Sequence, residues 1–248
     1  MKLAYTQHQG APYLRQQDCV FNGFEVIQEL DEPVKLLEAQ NQILIAVADG
    51  VSASPGAELA SKFVLEALET EVNRHGFSNT AIRSVQVKLS SRYAKTRYYG
   101  TSTTLLAVQF EENQARILSV GDCRAYLIKE DDQLIQLTRD HSFINELVDE
   151  EIAAESIKYA SCYNVLTDCL VADFEETDFK IFATSFKCQK GDRLLVCTDG
   201  VYETLESRLA GLIDWNQDIE KQAKEIRDAI LCIGPSDNFS LMMVDTSD

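Results

Sequence analysis

The sequence predicts an α+β fold, and three patterns carry that expectation. Ile43-Leu44-Ile45-Ala46-Val47-Ala48 is a run of six apolar residues, half of them β-branched, and reads as a strand buried on both faces. It ends in Asp49-Gly50, and the same design returns 150 residues later as Arg193-Leu194-Leu195-Val196-Cys197-Thr198-Asp199-Gly200. Apolar residues at helical spacing follow each of these strands, whereas short β-type runs divided by polar turns fill the middle of the chain. Helices in two blocks around antiparallel strands suggest one α+β domain over residues 1–248.

Taken in order, Leu3 to Phe21 reads as a strand with a polar centre around Gly10. Residues 29–42 are acidic and polar, and a hairpin or loop is expected there before the central strand. Ser54-Pro55 predicts a helix start, a cap residue followed by Pro at the first helical position. Leu59, Phe63, Val64, Ala67, Leu68 and Val72 follow at helical spacing, and Gly76 closes that helix. A second helix is predicted from near Ser78, with Ile82, Val85, Leu89 and Tyr93 on one face.

Beyond Gly100 the period changes. Thr101–Phe110, Ala115–Val120, Arg124–Ile128 and Gln133–Leu137 alternate like strands and predict an antiparallel meander. Ser142–Ser156 reads as an acidic amphipathic helix with a solvated face, and 157–187 as irregular structure with short strands. After the strand into Asp199, helices are expected around Tyr202–Leu212 and Ile219–Ile233, and Phe239–Val244 is the last strand.

Composition narrows the function classes. The net charge of −17 argues against nucleic acid and anionic membranes as partners. No apolar run reaches the length of a membrane span, and the N-terminus carries no signal-like pattern. The seven cysteines are scattered without a Cys-x-x-Cys pair, several of them inside apolar strands. A reduced, cytoplasmic, monomeric protein is expected.

Acidic residues beside Gly, Ser, Thr or Asn recur at the ends of the apolar runs: Asp18, Asp49, Asp122, Asp140, Asp199 and Asp237. Each alone reads as a turn or cap residue. The set is harder to explain that way, and an all-oxygen donor set suits magnesium or manganese. Zinc does not fit, because His8, His75 and His141 are isolated and no cysteines pair. No phosphate-binding loop with Gly-Lys-Ser/Thr and no Gly-x-Ser-x-Gly elbow is present. His141 reads as a structural hydrogen-bonding residue, and Trp215 as a half-buried anchor.

The order of these motifs resembles the metal-dependent Ser/Thr protein phosphatases of type 2C, in their short bacterial form. The resemblance runs from Gly10 to Val244, through Gln17-Asp18, Val47-Ala48-Asp49-Gly50 with Glu58-Leu59-Ala60-Ser61, and Gly100-Thr101-Ser102-Thr103. It continues through Gly121-Asp122-Cys123-Arg124, Leu137-Thr138-Arg139-Asp140-His141-Ser142, Asn164-Val165-Leu166-Thr167, Cys197-Thr198-Asp199-Gly200 and Asp237-Asn238-Phe239-Ser240. It implies a four-layer α-β-β-α sandwich with a two-metal site at one edge and a flap over roughly residues 143–187. Asp49, the Gly50 carbonyl, Asp199 and Asp237 would hold two tightly bound Mn2+ or Mg2+ ions. Asp122, with Asp199, would support a third, weaker ion. Asp18 would orient the attacking water, and Asn238 would steady the Asp237 end.

The implied reaction is hydrolysis of phosphoserine and phosphothreonine in proteins by a metal-activated water, without a covalent intermediate. Substrates would be targets of a Ser/Thr kinase. The alternatives are a catalytically weak, phosphatase-like regulatory binding module and a phosphatase of small molecules. Some positions depart from the family pattern. Val51 replaces a His of eukaryotic relatives, Ser52-Ala53 a Gly-Gly pair, and Asp168 an Arg often found beside the site. Tyr13 falls where the family has its phosphate-binding Arg. Side chains two residues apart on a strand share a face, so Arg15 is the candidate substitute.

Overall fold

A computed structural model of the chain describes all residues except 12–13, 41, 112–113, 155–164, 176–177, 190 and 247–248. Strands and helices are numbered along the chain. One antiparallel sheet of six strands runs in the order Phe182–Lys187 (β12), Gln114–Val120 (β8), Leu105–Glu111 (β7), Gln42–Asp49 (β5), Asp18–Phe21 (β2) and Val26–Ile27 (β3). A second sheet of six runs Leu134–Gln136 (β10), Arg124–Ile128 (β9), Arg193–Cys197 (β13), Phe239–Asp245 (β14), Lys2–His8 (β1) and Asp31–Glu38 (β4). A two-stranded piece pairs Leu170–Val171 (β11) with Ser102–Thr103 (β6).

The pleat sorts each central strand into two cores. Ile45 and Val47 of β5 meet Leu194 and Val196 of β13 and Met242 of β14 in the apolar layer between the sheets. Ala46 and Ala48 point the other way, onto Ala57–His75 (α1) and Asn79–Tyr93 (α2). Leu195 and Cys197 likewise turn outward onto Asp199–Leu205 (α4), Arg208–Gly211 (α5) and Ile219–Ile233 (α6). Both strands are therefore buried on both faces, as their unbroken apolar runs require, and the layers are helix, sheet, sheet, helix. Among the described helices two have side-chain caps: Ser78 accepts from the Ala81 amide (3.4 Å) and Asp218 from the Lys221 amide (2.9 Å).

Several expectations are corrected. Leu3–Phe21 is not one strand but two, β1 and β2, in different sheets. Residues 29–42 hold an eight-residue strand, β4, at a sheet edge. Its wet side and Pro33 gave it a loop-like composition, and both suit an edge strand. The meander is broken: β8 pairs with β12, and β9 with β10 and β13, so the chain changes sheets at Gly121-Asp122. Alternation encodes a face but not a partner.

The first helix begins at Ala57 rather than at Ser54-Pro55, with Gly56 at its N-cap and no side-chain cap. The Ser54 hydroxyl is engaged elsewhere, accepting from the Ser102 amide at 3.0 Å. The acidic helix predicted over Ser142–Ser156 is Phe143–Asp149 (α3), without a buried residue, and the chain turns out at Glu151 with φ of 59°. Residues 155–156 and Asn164 lie outside the described residues.

Candidate functional site

Strand pairing brings the carboxylates together before any side chain is considered. β2 and β5 are antiparallel neighbours, and their register sets Asp18 directly opposite Asp49. β13 and β14 are also neighbours, and the ladder extends as the Thr198 amide donates to the Ser240 carbonyl (3.1 Å). Asp199 therefore starts α4 beside the turn that carries Asp237. The two sheets meet at this edge. A hydrogen bond joins the carboxyl groups of Asp49 and Asp199. The Thr198 hydroxyl donates to Asp18 Oδ2 (2.7 Å) and accepts from the Ser240 amide (2.9 Å).

The backbone around these groups is held closely. The Asp49 carbonyl accepts from the Thr104 amide and the Thr103 hydroxyl, both at 2.8 Å, and the Thr104 hydroxyl accepts from the Asp49 amide (2.9 Å). Asn238 ties the Asp237 turn to the loop after β1: its amide nitrogen donates to the Gln9 carbonyl and its oxygen accepts from the Gln17 amide. Gly10, in that loop, has φ of +72°, and a Cβ there would lie 2.2 Å from the Asp237 carbonyl oxygen. Gly200 is tighter still, with Asn238 O 2.0 Å from where its Cβ would be. Gly50, behind Asp49, is packed in the same way, with the Ala57 carbonyl oxygen 2.5 Å from where its Cβ would be.

Asp122 is braced from behind. The Gly121 amide donates to His141 Nδ1 (3.1 Å), so His141 acts structurally, and burial lowers its imidazole pKa. The Tyr202 hydroxyl, on α4, donates to the Asp122 carbonyl (3.1 Å). Its ring lies under the Arg124 guanidinium, 3.5 Å from the centroid, and Arg124 is itself bonded to Asp140 at 2.6 and 3.0 Å. One helix thereby carries Asp199 and fixes the loop of Asp122.

The electrostatics follow from burial and mutual repulsion. Burial, then the Asp199 charge, pushes the Asp18 carboxyl up to about 8. Burial and then Asp237 raise Asp199 to about 7, while Asp49 and Asp122 are pushed well up by burial and by Asp199. Among the described residues no three acidic, histidine or cysteine side chains form a ready ligand set. Asp49 and Asp199 instead face each other within hydrogen-bonding reach. The donors nevertheless suit hard divalent ions: all are oxygen, and Asp18 Oδ1 and Asp199 Oδ1 are buried without a hydrogen-bond partner. A cation there would relieve the repulsion that now raises their proton affinity.

That repulsion gives a testable sign. The folded pKa values lie above the unfolded carboxylate range, so the native state binds more protons than the unfolded one. The contribution of these groups to the stability of ion-free protein is expected to be fully present below about pH 4 and to be lost as pH rises through about 7–8. Melting temperatures in EDTA across that range check this, and saturating Mn2+ should flatten the trend.

Arg15 is not on a strand; it lies in a bend before β2, so the shared-face argument for it does not hold. Its side chain is 72% exposed and ion-paired with Glu58 of α1. Tyr13 is outside the described residues. Asp168 accepts from the Lys180 amide (2.8 Å) in the predicted flap region. Trp215 is half-buried against Arg193, which donates to its carbonyl (2.6 Å). Glu203 was missed: one turn beyond Asp199 on α4, its carboxyl is raised by burial and then by Asp237. The i, i+4 spacing from Asp199 was the available signal. Cys19, Cys123 and Cys197 are buried, and burial pushes their thiols up.

The described helices include none long and apolar enough to cross a membrane. The family model described as protein phosphatase 2C matches residues 34–230. The chain is 26% identical over 213 residues to the serine/threonine protein phosphatase PstP of Mycobacterium tuberculosis, spanning 83% of this chain but only 40% of that protein. It is 26% identical over 219 residues to the serine/threonine phosphatase stp of Listeria welshimeri, across 83% of this chain and 85% of that one. Among solved structures, that of the M. tuberculosis serine/threonine phosphatase PstP superposes with a TM-score of 0.77 at 22% identity, covering both chains fully. The catalytic domain of PstP in complex with two manganese ions gives a TM-score of 0.74 at 22% identity, again over the full length of both.

Proposed function

The chain belongs to the protein phosphatase 2C family, and on that premise we propose that it removes phosphate from phosphoserine and phosphothreonine in proteins, using Mn2+ or Mg2+. One observation carries this reading: the Asp49 and Asp199 carboxyls, brought from different sheets, face each other beside a buried Asp18 oxygen without a partner. Asp49, the Gly50 carbonyl, Asp199 and Asp237 would hold two ions, and Asp122 would support a third. Bound divalent ions supply charge neutralisation at the phosphate and a lower pKa for the attacking water. Asp18, fixed by the Thr198 hydroxyl through Oδ2, has Oδ1 left to accept a hydrogen bond from that water. Asn238 keeps the Asp237 turn in place. The buried thiols offer no nucleophile, in keeping with direct hydrolysis. The substrates are taken to be products of a Ser/Thr kinase in a cytoplasmic setting.

Arg15 is the cation we assign to the substrate phosphate. Its ion pair with Glu58 holds a planar, exposed fork three residues before Asp18, and phosphate oxygens suit that fork. A grip of this kind acts on ground and transition states alike, so it belongs in KM. Arg15→Ala should raise KM for a phosphopeptide severalfold, with Tyr13→Ala doing less; steady-state kinetics of the two variants decide it. Unchanged KM in Arg15→Ala would remove the assignment. The function itself is tested by phosphate release from otherwise identical phosphothreonine and phosphotyrosine peptides. Preferential release from the first is expected, and the reverse preference contradicts the proposal.

A further inference from the structure

In a chain with 40 acidic residues, positions 72–110 contain none of them, yet they hold six of the 23 Lys and Arg. Three of these cations are paired with carboxylates. Arg74 and Lys88 both pair with Glu71 of α1, and Arg83 pairs with Asp178. The other three, Arg92, Lys95 and Arg97, meet no carboxylate among the described residues. They lie over aromatic rings instead: Arg92 over Tyr93 (5.6 Å), Lys95 over Phe174 (5.5 Å) and Arg97 over Tyr98 (4.8 Å). All three are exposed. Rings under the cations hold them without cancelling their charge.

The patch is attached to the candidate site by its own chain. Tyr98 touches the Gly56 turn, the Thr101 hydroxyl donates to the Gly56 carbonyl (2.9 Å), and Ser102 accepts from the Val51 amide (3.0 Å). Thr103 and Thr104 then bond the Asp49 carbonyl. Thr104, which bonds Asp49, is seven positions on from Arg97, so this end of the patch lies within about 25 Å of Thr104, the most that seven residues of extended peptide can span.

We propose that Arg92, Lys95 and Arg97 form a docking surface for an acidic or additionally phosphorylated stretch of the substrate polypeptide, close in sequence to the phosphoresidue being hydrolysed. This rests on the phosphatase reading of the site. Charge complementarity selects the occupant: a short anionic segment can lie along Arg92, Lys95 and Arg97, with Asp173 (bonded by Tyr99) and Glu175, on either side of Phe174, at its border. A long polyanion or an anionic lipid surface would also face the rest of a protein of net charge −17. At physiological salt the field reaches only about 8 Å, which again favours a short segment lying on the patch.

The experiment compares two phosphothreonine peptides, one with neutral flanks and one with three or four Glu placed within seven residues of the phosphothreonine. Wild type is set against the triple variant Arg92→Gln, Lys95→Gln, Arg97→Gln. The expected result is kcat/KM about tenfold higher for the acidic peptide in wild type, through a lower KM, with the preference reduced by 0.5 M salt. The triple variant should lose the preference and keep its rate on the neutral peptide. Equal kcat/KM for both peptides in wild type, or the same preference in the variant, overturns the proposal. If wild type hydrolyses neither peptide, the phosphatase reading fails by itself, and fluorescence anisotropy of the labelled acidic peptide decides the surface. Binding lost in the triple variant sustains it; no binding, or tighter binding of an RNA oligonucleotide or phosphatidylserine vesicles, overturns it.

Discussion

Asp199→Asn should lose roughly a thousandfold or more in kcat while the ion-free protein becomes more stable. The two effects have one cause. Asp199 bonds to Asp49, stands near the charges of Asp237 and Glu203, and is half-buried at the edge where the sheets meet. Divalent ions would offset that crowding of negative charge; without them the fold bears it. Replacing one carboxylate by an amide of the same shape removes repulsion and removes a ligand together. Each kcal/mol relieved should raise the melting point in EDTA by about 2–4 °C for a chain of this size. The gain from added Mn2+ should shrink, because less binding energy is linked to folding. Asp49→Asn should behave alike. Wild-type turnover in either variant, or a lower melting point in EDTA with no loss of activity, would contradict the roles assigned to these residues.

Gly200→Ala should be the most damaging change of a single methyl group at the site. A Cβ at residue 200 would sit 2.0 Å from the Asn238 carbonyl oxygen and 3.1 Å from the Phe239 Cβ, both close to the β14 backbone. Neither neighbour is the free end of a flexible side chain, so α4 must move away from β14. That movement carries Asp199 with it and breaks the packing of Val201 and Leu205 under α4. Overpacking of this kind costs about 3 kcal/mol or more. Chemical denaturation should show that loss, and any folded fraction should bind Mn2+ poorly. An Ala variant of native stability would mean that the turn is looser than the structure describes.

Much of this was readable from residues alone because the decisive features are local. Ile43–Asp49 and Arg193–Cys197 advertise themselves by unbroken apolar runs, since each must satisfy cores on two faces. Asp49 and Asp199 then fall at strand ends by chain order alone. Partners in space were not legible. Nothing in the alternation of Ala115–Val120 says that its neighbour is β12 rather than the next strand. Edge strand β4 was hidden because its exposed side takes polar residues, and Ser54 was mistaken for a cap because its hydroxyl bonds Ser102, 48 residues away. Arg15 shows the same limit at the site. Strand parity holds only while the chain stays extended, and at Arg15 it bends before β2. Tyr202 and Arg124 were missed as a brace because a ring lying 3.5 Å from a guanidinium, on a different element, leaves no periodic trace.

The most direct test of the central claim, that the aspartates at the meeting edge of the two sheets form a divalent-cation site, is calorimetric titration of EDTA-treated, dialysed protein with Mn2+. Two tightly bound ions per chain are expected for wild type, with proton release above pH 6 as the raised carboxyls give up their protons, and loss of at least one ion in Asp49→Asn and in Asp199→Asn. Asp122→Ala should keep both tight ions. Absence of tight Mn2+ binding by wild type, or unchanged stoichiometry in the two Asn variants, would contradict it.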